Sequence, residues 1–335
     1  MYLMLFCNNL EEIIFHRHEM FDVDELIVLS GYLGPQPVGR LEELPLKTSV
    51  VYGMYGSDSI SEKLHTSLLR LNEEMNNTDI YYSNLPVHSK CYVWRKKSKI
   101  VTALVGSANF SVSGLSNPYK EVLAETTFDT FEPLNQYISK VLGYCIECND
   151  SSIVLRNKIV KELKPAKIIT PESDAVCKAS LLDRSGEVPP KSGLNWGLSP
   201  GHTTMGDAYI RISKDYVKTN PDLFPPKQLT PLSFTRGAKL TRQNEAVEFI
   251  WDDGTIMEGL LEQTQLIDGV AYPKAISSSP KKNILGIYLR RRLGVPLDYQ
   301  ITKSDLERYG RTDIEISLLE EGVYYLDFSP SSKSS

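Results

Sequence analysis

Apolar residues occur in short blocks through the first half of the chain, and their spacing switches between two periods. Glu25–Gly34 (ELIVLSGYLG) and Ser49–Met54 (SVVYGM) are near-continuous apolar stretches, the pattern of buried strands. From Ser57 to Asn76 the period lengthens. Ile60, Leu64, Leu68 and Leu71 recur at helical spacing, and Ser57, Asp58 and Ser59 offer caps. Ile80–Ser83, Ser89–Arg95, Ile100–Val105 and Val122–Phe128 read as further strands, and Phe131–Leu142 as a helix. Alternation of this kind predicts an α/β domain, a mixed sheet flanked by helices.

The pattern fades into Pro and polar residues around Leu163–Asp174 (LKPAKIITPESD). The expected division is a first domain over 1–165, a linker over 166–174, a second domain over 175–329 and a disordered tail over 330–335. Beyond the linker the apolar runs are short and turn residues frequent. AYIRIS, AVEFIW, GLLEQ, NILGIYL, IEISL and VYYLDF all read as strands, which predicts an all-β barrel or sandwich. One short helix is expected at Thr302–Tyr309, where Asp305 follows the Thr302 cap by three residues.

Composition narrows the partners. The net charge is −5 over 335 residues, divided roughly −4 and −1 between the two domains, so any nucleic-acid contact must use local basic clusters. Arg95-Lys96-Lys97-Ser98-Lys99, Lys281-Lys282 and Arg290-Arg291-Arg292 are the candidates, although a charge run is more often a solvated face. No apolar run approaches the roughly 18 residues of a membrane span. The opening MYLMLFCNNLEEIIF lacks the marks of a signal peptide and reads as a buried segment, so a cytoplasmic protein is expected. Five cysteines suit a reducing compartment. Cys145 and Cys148 form a CxxC without a second ligand pair for zinc, and no carboxylate cluster suits Mg²⁺, so neither metal nor cofactor is expected.

The chemistry concentrates in His88-Ser89-Lys90, Gly106-Ser107-Ala108-Asn109 and Glu121. Residues i and i+2 of a strand share a face, so His88 and Lys90 project together, as do Ser107 and Asn109. A hairpin turning at Lys96–Ser98 would bring the pairs side by side. Such a patch can hold a phosphodiester: Lys90 supplies fixed charge, Asn109 an amide donor and Ser107 a hydroxyl, against the charge that grows on phosphoryl oxygens. His88 can attack phosphorus, and Glu121 can accept from one imidazole nitrogen and so aim the other.

HSK followed by GSAN resembles the HxK…GSxxN signature of the phospholipase D superfamily. The usual Asp after the Lys is absent; Trp94 and Arg95 occupy that neighbourhood. With GSANFS and the following KEV, this resembles the branch that holds the BfiI-like, NgoFVII-type restriction endonucleases. The resemblance spans roughly residues 20–145. It implies His88 as nucleophile, Lys90 and Asn109 as phosphate ligands, Glu121 as carboxylate partner with Glu125 as the alternative, and chemistry that needs no divalent metal. The superfamily uses two histidines per centre. Of the five here, only His88 lies in an HxK, since His16 and His18 have no matching Lys. A homodimer through the first domain, its site on the two-fold axis, is therefore expected.

In the second half, LNWG at Leu194–Gly197, DAYIRIS at Asp207–Ser213 and the stretch Ile284–Arg311 resemble the DNA-binding pseudobarrel of plant B-three-type transcription factors. In that fold two arms grip the major groove of double-stranded DNA. The first is expected at Arg184–Trp196, with Arg184, Lys191, Ser192, Asn195 and Trp196. The second is expected at Asp252–Gln265, with Asp252, Asp253 and Gln263. Trp196 in the core, and Asp252-Asp253-Gly254 as a plain hairpin turn, are the competing readings. Arg290–Arg292 either contact phosphates or pair with Glu307, Glu320 and Glu321.

The expectation is a sequence-specific restriction endonuclease. A cognate methyltransferase and a separate helicase-like ATPase subunit are the further partners this implies, since the chain has no GxxxxGK[ST] loop of its own. Two rivals are weighed beside it: a lipid-acting phospholipase D, which should show two HxK motifs or a membrane-facing helix, and a non-catalytic DNA-binding protein with a decayed nuclease fold.

Overall fold

The computed structural model describes residues 4–156, 176–227, 229–231, 240–242 and 244–330. The expected linker 166–174 and residues 331–335 of the expected tail lie outside the described residues. The chain forms two compact units, Met1–Lys161 with Leu319–Val323, and Glu162–Leu318 with Tyr324–Ser335.

The first unit contains, in order, β1 (Leu5–Phe6), α1 (Leu10–His16), β2 (Glu25–Ser30), α2 (Pro35–Arg40), β3 (Lys47–Tyr52), α3 (Tyr55–Asp58), α4 (Glu62–Glu74) and β4 (Thr78–Ser83). There follow β5 (Lys90–Lys96), β6 (Lys99–Gly106), α5 (Val112–Ser116), β7 (Leu123–Glu125), α6 (Phe128–Leu142) and β8 (Cys145–Glu147). The strands make one sheet in the order β1-β7-β6-β5-β2-β3-β4-β8. β2, β3 and β4 are parallel and the other pairings antiparallel, the mixed sheet expected of this half.

Both faces of the sheet are buried. Ile27, Leu29, Val51, Cys91, Val93 and Ala103 pack against Ile138 and Val141 of α6. On the other face the register aligns Val28, Val50, Tyr92 and Leu104. There Tyr92 meets Phe110, which stacks on Phe15 of α1, and His65 of α4 meets Tyr82. The last residues of β2 and β3 and the first of β5 lie at one end of the sheet, where parallel strands finish and ligands of open α/β sheets bind.

Two local expectations are corrected. The helix expected from Ser57 is broken: α3 ends at Asp58, Ser59 adopts φ +51°, and α4 starts anew with the Ser61 hydroxyl accepting from Leu64 N at 3.3 Å. The opening segment is not wholly buried; Leu5 on the edge strand β1 is exposed, while Leu10, Ile14 and Phe15 of α1 enter the core.

The second unit contains β9 (Val176–Ser180), β10 (Ile210–Arg211), α7 (Lys214–Thr219), β11 (Leu229–Pro231), β12 (Leu240–Arg242), β13 (Glu245–Trp251), β14 (Ile256–Glu262), β15 (Gln265–Ile267) and β16 (Val270–Tyr272). Then come β17 (Ala275–Ser278), α8 (Asn283–Leu293), α9 (Lys303–Tyr309), β18 (Asp313–Glu320) and β19 (Val323–Asp327). Seven strands run in the order β10-β17-β14-β13-β19-β18-β9, and the end strands β10 and β9 approach each other, so the sheet is nearly closed around one core. Thr302 and Asp305 form the expected capping box of α9.

NILGIYL, expected as a strand, is the body of α8. Leu285, Leu289 and Leu293 recur at i, i+4 and i+8 and are buried, a helical stripe that the mid-run glycine disguises. Gly286 belongs there because a Cβ at that position would stand 1.8 Å from the Gly206 carbonyl oxygen.

Candidate active site

His88 lies in the segment that enters β5, and Lys90 is the first residue of that strand. The segment is pinned by Val87 N donating to Gly53 O at 2.9 Å. The Lys90 ammonium is buried beneath the exposed imidazole, donating to the His88 carbonyl at 2.6 Å and lying 3.1 and 3.3 Å from the two ring nitrogens. Burial lowers the Lys90 pKa from its ordinary value, and the charge of Glu121 opposes that shift.

Asn109 arrives from the other arm of the hairpin. β5 and β6 pair from Lys90–Gly106 to Lys96–Lys99, joined by Lys97 and Ser98 at φ 49° and 65°, the two-residue turn whose twist suits a hairpin. Ser107 and Asn109 were expected on the strand but lie in the loop beyond β6, because β6 ends at Gly106. That loop turns Asn109 back over the sheet. Its Oδ1 accepts from Tyr32 N at 3.3 Å. A backbone N–H can only donate, so Nδ2 is left for another acceptor.

His88, Lys90 and Asn109 therefore meet over one backbone position. A Cβ placed on Gly31 would stand 3.3 Å from His88 Cδ2, 3.3 Å from Lys90 Nζ and 3.4 Å from Asn109 Oδ1. An exposed nucleophile, a buried cation and a fixed amide within one phosphate's width can bind and attack a phosphodiester.

The remaining candidates divide. The Ser107 hydroxyl accepts from Val122 N at 3.1 Å, and its own N donates to Val122 O at 3.0 Å, so it ties the Asn109 loop to the segment carrying Glu121. Glu121 makes no hydrogen bond to His88 among the described residues; its charge acts on Lys90. The alternative, Glu125, is occupied by the buried Arg17 at 2.5 Å and by Met4 N at 3.2 Å. Trp94 is fully buried, and Arg95 holds Glu25 through two hydrogen bonds of 2.7 and 2.8 Å.

In the second unit, Arg184, Lys191, Asp253 and Gln263 are exposed, and Ser192 and Trp196 half-buried. Two expectations are corrected. Asn195 is 0% exposed, its amide spent on Pro189 O, Ile301 O and Ile301 N, so it cannot face a base. Asp252 is held by Arg292 at 2.6 and 2.8 Å and by Phe328 N at 2.9 Å, which makes it a core anchor. Asp253 accepts from Thr255 N in the hairpin turn and from Tyr288. The arginine run splits likewise: Arg290 is buried against Leu194 O, Arg292 holds Asp252, and only Arg291 is exposed.

The expected second arm also falls apart in space. Lys282, at the start of α8, bonds Glu262 at 2.5 Å and lies over the Trp196 ring, while Arg292, in its last turn, bonds Asp252. The ends of this 11-residue helix are about 15 Å apart. Trp196 and Gln263 thus belong to one end, Asp252 and Asp253 to the other.

Two family models match this architecture. The NgoFVII restriction endonuclease N-terminal PLD domain matches residues 8–155, and the NgoFVII C-terminal B3-like DNA-binding domain matches residues 171–320. The chain belongs to the NgoFVII restriction endonuclease family. It is a phosphodiesterase of the phospholipase D superfamily whose second domain makes DNA its partner.

Solved structures similar to the nuclease domain include NucT from Helicobacter pylori and Nuc from Salmonella typhimurium. NucT is 17% identical, covering 44% of this chain and 98% of its own, with a TM-score of 0.32. Nuc is 14% identical, covering 44% and 98%, with a TM-score of 0.31. The search of curated proteins gives no match. Among the described residues, no helix of this NgoFVII-family chain is long and apolar enough to cross a membrane.

Sequence reasoning missed the segment beneath the site. Ser30, 0% exposed, donates to Tyr32 O at 2.6 Å and accepts from Phe110 N at 2.9 Å, joining the two loops that carry Tyr32 and Asn109. Nothing in ELIVLSGYLG distinguishes these residues from the tail of a strand.

Proposed function

We propose that this enzyme is a sequence-specific DNA endonuclease that works without a divalent metal through a covalent phosphohistidine. The observation that carries the reading is the meeting of His88, Lys90 and Asn109 within 3.4 Å of one point. A nitrogen of His88 attacks phosphorus, the P–N bond forms, and the bond from phosphorus to the leaving backbone oxygen breaks. Lys90 and Asn109 stabilise the charge on the non-bridging oxygens. Water then attacks phosphorus, the P–N bond breaks and the histidine is released. Ser107 keeps the Asn109 loop in place, and Glu121 sustains the charge of Lys90.

The leaving oxygen needs a proton that one imidazole, already bonded to phosphorus, cannot give. The partner subunit's His88 supplies it and later takes a proton from the attacking water, so the working unit is a homodimer with one composite site. Among the described residues, no three His, Cys, Asp or Glu side chains gather where a metal ion could be held. Arg184, Lys191, Ser192, Trp196 and Gln263 are the base- and phosphate-reading candidates of the second domain. The cytoplasm is the compartment this role requires.

The test is plasmid cleavage in excess EDTA, parent beside His88→Ala. The parent should cut and the variant should not. Cleavage that EDTA abolishes, or that His88→Ala retains, contradicts the proposal.

A further inference from the structure

β2 ends at Ser30, and the two residues that follow it, Gly31 and Tyr32, lie against the side chains of the site. Gly31 is outside the left-handed region, so its backbone does not demand glycine. Space does: the nearest atoms to a Cβ there are on His88, Lys90 and Asn109, at 3.3, 3.3 and 3.4 Å. Such contacts are tight enough that each neighbour must give by a few tenths of an ångström. Tyr32 reaches the site in three ways. Its N–H holds Asn109 Oδ1 at 3.3 Å. Its ring meets the His88 ring edge to face, with centroids 6.0 Å apart and planes at 79°. Its hydroxyl donates to Asp58 Oδ2 at 2.7 Å, which fixes the ring.

We propose that Gly31 and Tyr32 are positioning residues of the cleavage reaction, Gly31 as the bare floor over which the three side chains close, and Tyr32 as the wall that sets the His88 ring and the Asn109 amide. This rests on the phosphodiesterase reading of His88. Side-chain rotation alone would let the imidazole leave its line of attack and the amide turn its oxygen toward the substrate. The Tyr32 ring opposes the first motion and its N–H the second. Neither residue exchanges a proton or a bond with the substrate, so the loss on substitution falls on kcat and spares DNA affinity.

The experiment uses the full chain with plasmid DNA in EDTA, measuring kcat, DNA affinity and Tm for the parent, Gly31→Ala, Tyr32→Phe, Tyr32→Ala and His88→Ala. Gly31→Ala meets only the ends of flexible side chains and should keep the parental Tm. Displacement by tenths of an ångström should lower its kcat about tenfold, with affinity unchanged. Tyr32→Ala should lower kcat about 100-fold, and Tyr32→Phe, which keeps ring and N–H, should recover most of it. A folded Gly31→Ala or Tyr32→Ala with parental kcat overturns the positioning role while leaving the His88 reading intact. Parental turnover in His88→Ala instead overturns the catalytic reading itself.

Discussion

At the residue scale, Lys90 carries the conflict between stability and function. Its side chain is 5% exposed, and burial disfavours its charge. With the folded pKa below the unfolded one, the unfolded chain binds more protons between the two values, so this residue's contribution to stability rises with pH across that window. Lys90→Met keeps the volume and removes the buried charge. It should stabilise the fold by about 1 kcal/mol, read by urea denaturation at pH 7, and abolish cleavage. A destabilised Lys90→Met would show that the ammonium's bonds to His88 outweigh its desolvation. That His88, Lys90 and Asn109 come together was legible in the sequence, because HSK and GSAN flank a single hairpin. Gly31 and Tyr32 were not, since one acts by lacking a side chain and the other partly through its backbone N–H. Asn195 misled because a carboxamide in a polar stretch reads alike whether it faces a base or a buried carbonyl.

At the element scale, the β5–β6 hairpin sets the distance between Lys90 and the Asn109 loop, and its turn is strained. Ser98 holds φ 65°, a region that costs a residue with a Cβ roughly 1–2 kcal/mol. Ser98→Gly should therefore raise stability by about 1 kcal/mol, seen as a higher Tm, with cleavage unchanged. The hairpin itself was readable from two apolar runs around a charged turn; the exit of β6 at Gly106 was not, because a strand's end depends on which neighbours remain to pair with. α8 was misread for a related reason: a short apolar run with a glycine fits both periods, and the burial of Leu285, Leu289 and Leu293 at helical spacing decides between them. The Asp252–Arg292 pair ties the β13–β14 turn to the end of α8, with both side chains nearly buried. Asp252→Ala should cost about 3 kcal/mol of stability, measured by urea denaturation. DNA affinity, measured by fluorescence anisotropy well below the unfolding transition, should stay at the parental value. A selective loss of affinity without loss of stability would return Asp252 to the base-reading set.

At the scale of the whole molecule, a chain of net charge −5 has to find DNA through a few local cations, while the proposed phosphohistidine chemistry needs a second histidine that no other HxK in the chain provides. The second requirement is what leads the proposal beyond a single copy. Sedimentation velocity should show a dimer at the concentrations where plasmid is cut, and a monomer with full activity would contradict the shared site. The two-domain plan was legible from the change in apolar period; the assignment of Leu319–Val323 to the first compact unit was not, since those residues sit within and between strands of the second sheet in sequence. The central claim is that a nitrogen of His88 becomes bonded to phosphorus. Rapid acid-free quenching of the enzyme with cognate DNA in EDTA, followed by mass spectrometry of the peptide containing His88, tests it most directly. The account predicts a nucleotide adduct on His88 that survives base and is lost in acid; steady cleavage with that peptide unmodified at every time point would contradict it.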